Sequence, residues 1–130
     1  MRAVICALLV ACAPASDGST AFPEAPYATT QTGAYTIALR TAPSQPPPRG
    51  EMDLLLSVSD GAQQPVDGLN LGVLPWMPAM GHGSSIAPTV TPRGGGDYLV
   101  TNVVLPMPGT WELRVSGAGG DTTVIPLSVE

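Results

Sequence analysis

The stretch Trp111-Glu112-Leu113-Arg114-Val115-Ser116 alternates apolar and polar side chains without a break. A period of two is what a strand needs to send one set of side chains into a core and the other to water. The same rhythm recurs on both sides of it. After a flexible connection over 117–121, Ile125, Leu127 and Val129 point one way on a last strand. Before it, Met107-Pro108-Gly109 makes a tight turn, and Tyr98 to Leu105 forms a strand entered from the turn Arg93-Gly94-Gly95-Gly96-Asp97. Those glycines do not form a phosphate cradle, because neither a helix nor a Gly-Lys-Ser/Thr sequence follows them.

Further out, Tyr35, Ile37 and Leu39 share one face of a first strand over 34–41, and Met52, Leu54, Leu56 and Val58 give a second. Pro46-Pro47-Pro48 stiffens the connection between them. Asp60-Gly61 opens a turn that leads to Leu69, Leu71 and Val73, a third alternating run. Ile86, Pro88 and Val90 suggest a short fourth strand whose prolines suit a sheet edge. No window supports an amphipathic helix. The reading is therefore an all-β chain, an immunoglobulin-like antiparallel β-sandwich of about seven strands, with a small barrel as the alternative.

Composition agrees with one small domain. The chain has 130 residues, of which 44% are hydrophobic and only 12% charged, so its fifteen glycines and fifteen prolines punctuate strands and do not signal disorder. A net charge of −5, with five arginines and no lysine, offers no basic cluster for a phosphate backbone, and nucleic acid is not an expected partner.

The N-terminus reads as an export signal. Met1-Arg2 precedes Ala3 to Ala11, an apolar run too short to span a bilayer. Leu9-Val10-Ala11-Cys12 resembles the bacterial lipobox, which implies a lipoprotein signal peptide over 1–11 and lipidation of Cys12; a plain secretory signal cut near Ala13 or Ala15 is the alternative. Residues 12–32, rich in Ala, Pro, Ser and Thr, read as a flexible tether to a domain over 33–130. The expected location is the bacterial cell envelope, exposed to the periplasm, with the membrane reached through a lipid anchor only. With Cys6 removed and Cys12 modified, the mature domain has no thiol, which rules out disulfides and cysteine-based zinc sites within it.

The chemically distinctive stretch is Pro75-Trp76-Met77-Pro78-Ala79-Met80-Gly81-His82-Gly83, which follows the third alternating run and reads as a strand-end loop. It holds two methionines and the only histidine of the chain. Neutral thioethers favour Cu(I), bind without releasing a proton and form no disulfides in an oxidising compartment. Met77, Met80 and His82 are the candidate metal ligands, joined by Met107 if the strand of Trp111 lies beside the third. Trp76 offers an aromatic face that would cover a cation, whereas Trp111 reads as core. Gap-filling packing is the competing reading for the methionines, and an exposed loop residue is the competing reading for His82. A single histidine excludes a three-histidine centre within one chain. Neither paired carboxylates nor a nucleophile elbow stands out, and His82 lies too close to Ser84 for a triad, so the chain is not read as an enzyme.

The ordered series Met77-Pro78-Ala79-Met80-Gly81-His82-Gly83, Gly96-Asp97-Tyr98 and Met107-Pro108-Gly109-Thr110-Trp111 resembles the YtkA-like domain, related to FixH proteins, over roughly residues 50–130. The resemblance implies a small exported or membrane-anchored immunoglobulin-like domain. Its FixH-type relatives are linked to assembly of copper-containing oxidases, which implies a cuproprotein or another envelope protein as partner. The chain departs from FixH in showing no transmembrane helix, so a role inside an oxidase assembly complex does not carry over directly. Two functions are therefore expected to compete: Cu(I) binding for copper handling or cuproprotein assembly, and a metal-free structural or protein-binding module.

Overall fold

The structure is a computed structural model that describes residues 22–84, 86–119 and 122–130. Nine strands make up the described part: β1 (Ala28–Thr32), β2 (Tyr35–Ala42), β3 (Gly50–Ser59), β4 (Gly72–Met77), β5 (His82–Gly83), β6 (Thr89–Gly94), β7 (Asp97–Leu105), β8 (Gly109–Ser116) and β9 (Thr123–Val129). They form two antiparallel sheets, a five-stranded one in the order β1-β2-β3-β7-β6 and a four-stranded one in the order β5-β4-β8-β9. The sandwich is thus the expected architecture with two more strands than the alternation predicts. Neither additional strand carries the apolar rhythm: β1 is Ala-Thr-Thr-Gln-Thr and β5 is only His-Gly.

The tether expected over 12–32 ends earlier than its composition suggests, because its last five residues are β1, paired in register with β2 from Ala28↔Leu39 to Thr32↔Tyr35. Edge pairing needs backbone groups, not apolar side chains, and here the surroundings supply further anchors. The Arg40 guanidinium donates to the carbonyls of Pro23 and Glu24 at 2.9–3.1 Å, and Gln45 Nε2 donates to Ala25 O at 2.8 Å. Tyr27 N–H donates to Leu39 O, while its hydroxyl accepts from Ser128 N–H of the other sheet at 3.1 Å. The signal peptide expected over 1–11 and the lipidation expected at Cys12 lie outside the described residues.

The third alternating run also shifts. Leu71 is buried, but the strand begins only at Gly72 and continues through Pro75 to Met77, so most of the supposed loop is strand and hairpin. Pro75 is tolerated inside β4 without a donor of its own. The expected edge strand with prolines is β6, which starts at Thr89 and does border the five-stranded sheet.

Inward residues of both sheets form one core. Ile37, Leu39, Leu54, Leu56, Tyr98, Val100, Val103, Leu105, Trp111, Leu113 and Leu127 are all fully buried in it. On β7 the buried positions step by two, then by three between Val100 and Val103, then by two again. A bulge makes this possible: Met52 pairs Val103 while Leu54 pairs Val100, and Asn102 takes a φ of 59°. The extra residue resets the register, so both halves of β7 face the core.

Tyr98 ties the core to the loop before β4. Its ring is fully buried, and its hydroxyl donates to Val66 O at 2.7 Å and accepts from Leu69 N–H at 3.1 Å. Replacing it leaves a carbonyl and an amide of the loop without a partner, a loss of about 1–3 kcal/mol. Tyr98→Phe is therefore expected to lower the melting temperature by roughly 4 °C or more for a domain of this size, read by thermal unfolding with far-UV circular dichroism.

Candidate metal centre

The candidate ligands sit on and around the β4–β5 hairpin. Its turn, Pro78 to Gly81, is closed by Met80 N–H and Gly81 N–H donating to Met77 O at 3.2 and 3.0 Å, with Gly81 at a φ of 65°. Met77 then pairs directly with His82 across the hairpin. Opposite residues of an antiparallel pair project to the same face with Cβ atoms about 5 Å apart, so the five-residue spacing of the sequence becomes a side-by-side pair. That face is the inner one. Met77 is only 5% exposed, and the His82 ring meets the edge of buried Trp111 at 6.5 Å between centroids and 68° between planes.

His82 nevertheless remains exposed, because β5 is the outermost strand of its sheet. Its Nδ1 lies 3.2 Å from Gly83 O. With Nδ1–H as the donor in that bond, Nε2 carries the lone pair, the arrangement a metal-binding imidazole uses when its second nitrogen is fixed by a carbonyl.

Met107 approaches from the turn before β8. That strand does lie beside β4, in the register Trp76↔Glu112 to Gly72↔Ser116. Trp111 Nε1–H donates to Met107 O at 2.9 Å, which fixes the turn to the core. The half-buried Met107 packs against the core, and the Cε of Met77 reaches the α-carbon side of Gly109, where a Cβ would stand 2.9 Å from it. The structure therefore places Met77, His82 and the Met107 turn around Trp111. Met80 is apart from them in character: it rides on the hairpin tip and is 53% exposed. Trp76 does not cover the site, because its ring belongs to the opposite face of β4, stacked under Arg114 at 4.8 Å. Among the described residues no three His, Cys, Asp or Glu side chains gather into a metal-binding group.

Sequence reasoning missed two positions here. Trp111 is a neighbour of His82 as well as a core residue, a contact set by sheet register and invisible in the one-dimensional pattern. Gly83 permits the close approach of β5 to β4, since a Cβ there would stand 2.7 Å from Pro75 O. Gly83→Ala is expected to push β5 away from β4, lowering the melting temperature by a few degrees and abolishing the nuclear Overhauser contacts between the His82 and Trp111 rings. A variant that keeps those contacts at wild-type intensity contradicts the close packing assigned to Gly83.

The comparisons with known proteins agree with this architecture. The Lin-41 filamin domain, known from a crystal structure, superposes with a TM-score of 0.51 at 13% identity, covering 71% of this chain and 91% of its own. At that identity the likeness concerns the fold alone. No curated protein matches the sequence. The model of the YtkA-like family matches residues 29–116, from β1 to the end of β8, and so begins well before residue 50. That match takes in the hairpin, the Met107 turn and well over half of the chain, and the chain belongs to the YtkA-like family.

Proposed function

We propose that this protein binds Cu(I) at the β4–β5 hairpin, through Met77 and His82 with Met107 and Met80, and serves copper handling or cuproprotein assembly in the bacterial cell envelope. The observation that carries the reading is the cross-strand pair of Met77 and His82 beside the Met107 turn. Thioether sulfur and imidazole nitrogen are the donors that suit Cu(I), and this pair brings one of each to a single face. His82 is exposed, and Met80, also exposed, lies two residues before it in the chain. The resident ion would supply soft Lewis acidity at that point; the chain contributes donors, a rigid hairpin and the wall made by Trp111. Lipidation at Cys12 would keep the domain at a membrane surface, where a cuproprotein partner or another envelope protein would meet it.

The second reading is a metal-free module, and one observation favours it: Met77 is packed in the core, as a gap-filling methionine would be. Cu(I) ligation by Met77 requires its sulfur to turn toward His82. Such a rearrangement is within reach of an unbranched side chain with three rotatable bonds.

The two readings separate in an anaerobic Cu(I) titration against a chromophoric chelator, with Ag(I) as a redox-stable check. Wild type is expected to take up one equivalent, and the double variant Met80→Leu with His82→Ala is expected to bind at least tenfold more weakly. Equal and weak binding by both proteins rejects the metal site and leaves the structural module.

A further inference from the structure

The outer face of the four-stranded sheet carries a pattern that the copper reading does not use. Side chains alternate along β4, β8 and β9, so Leu74 and Trp76, Glu112 and Arg114, and Val124 and Pro126 all point away from the core. Register sets them in two rows: Leu74, Arg114 and Val124 in one, and Trp76, Glu112 and Pro126 in the next. Leu74 is 49% and Val124 is 42% exposed, and Pro126 is exposed as well. Leu74, Arg114 and Val124, with Ser116 and Thr122, line a shallow groove of about 460 Å³. Apolar side chains thus flank a central strand that bears one cation and one anion. The Arg114 guanidinium lies 4.8 Å from the centre of the Trp76 ring and 3.3 Å from Glu112.

We infer that this face joins a second copy of the chain. A chain of net charge −5 repels its own copy over most of its surface, and an interface needs a face where the signs can cancel. Glu112 and Arg114 provide this by their order. A two-fold axis lying between the two faces, perpendicular to β8 and level with Leu113, places Arg114 of each copy over Glu112 of the other. The same operation sets Leu74 over Trp76 and Val124 over Pro126. An axis parallel to β8 instead brings Arg114 over Arg114 and Glu112 over Glu112. The charge order therefore selects one closed, isologous dimer with β8 antiparallel to its counterpart and opposes the other. An Arg at the centre with a Trp and aliphatic side chains beside it is also a composition that interfaces favour.

The outer face of the other sheet is arranged differently. Leu55 and Leu99 there are half-buried, Thr36, Ser57 and Ser59 lie around them, and the Arg40 guanidinium binds the carbonyls of Pro23 and Glu24, so the segment before β1 covers part of that face. Size predicts a weak dimer. With strands about 4.8 Å apart and a rise of about 3.3 Å per residue, the whole outer face of β4, β8 and β9 covers roughly 300–400 Å² per copy. A standard interface buries about 800 Å² per partner, so association is expected in the micromolar range or above.

Sedimentation velocity of the purified domain between about 10 and 500 μM tests the inference. Wild type is expected to rise from monomer toward dimer mass across that range. Glu112→Arg and Arg114→Glu are each expected to stay monomeric, because each places like charges in opposition, and Leu74→Glu with Val124→Glu is expected to do the same. The double exchange of Glu112→Arg with Arg114→Glu restores the alternating order and is expected to restore dimerisation, which no loss of folding would imitate. A wild type that remains monomeric at the top concentration overturns the proposal. So does a double exchange that associates no better than its single variants.

Discussion

Packing between two sheets that have no covalent link is the constraint on which the rest depends. The described residues contain no cysteine, so the sheets stay together only while each strand keeps its apolar parity toward the other sheet. Trp111 is the largest fully buried side chain in that layer, and its indole N–H is satisfied by Met107 O. A buried indole without that acceptor would lose much of what its area contributes. The turn before β8 is therefore held by the core, and in being held it is aimed at the β4–β5 hairpin. Local geometry at the candidate metal centre is a by-product of the packing that makes the fold.

The two long sides of the sandwich are closed differently. On one side β1 and the segment before it are fastened down, and the Tyr27 hydroxyl reaches across to Ser128 of the other sheet. On the other side the outermost strands are β5, two residues long, and β6, mostly exposed. Donor groups projecting inward from β5 therefore sit at the margin of the core. His82 consequently has an apolar neighbour in Trp111 and access to solvent together, a combination that a residue on a central strand cannot have. Short edge strands also limit unwanted pairing with other chains, so the shortness of β5 serves two ends at once.

What the sequence revealed and what it hid follow from how each element earns its place. Strands β2, β3, β8 and β9 bury alternate side chains, and their rhythm is plain in the letters. β1 is fixed through backbone pairing and through Arg40, Gln45 and Tyr27, none of which leaves a local pattern, so it resembled a tether. β4 was displaced because the rhythm of Leu69, Leu71 and Val73 starts before the pairing does; Leu69 donates its amide to Tyr98 and not to a neighbouring strand. The candidate ligands were legible as residue types and as a cluster in sequence. Their division into a packed Met77, an exposed Met80 and an edge His82 was not, because burial is decided by which strand becomes the edge.

Strand β4 is where these lines meet. Its inward positions, Pro75 and Met77, build the core and the side of the candidate ligands, while Leu74 and Trp76 build the outer face. Period two makes the two faces inseparable: a slip of one residue would send Trp76 inward and Met77 out, exchanging both sets at once. Two glycines guard the register on either end. Gly83 lets β5 close against Pro75, and Gly117, with a φ of 89°, lets the end of β8 pass the carbonyl of Asn70 where a Cβ would collide. An insertion tolerated in the loop before Gly72 leaves both faces intact, whereas one between Gly72 and Met77 costs both. Any function on the inner side of this hairpin and any contact on its outer side are consequently bound to the same six residues.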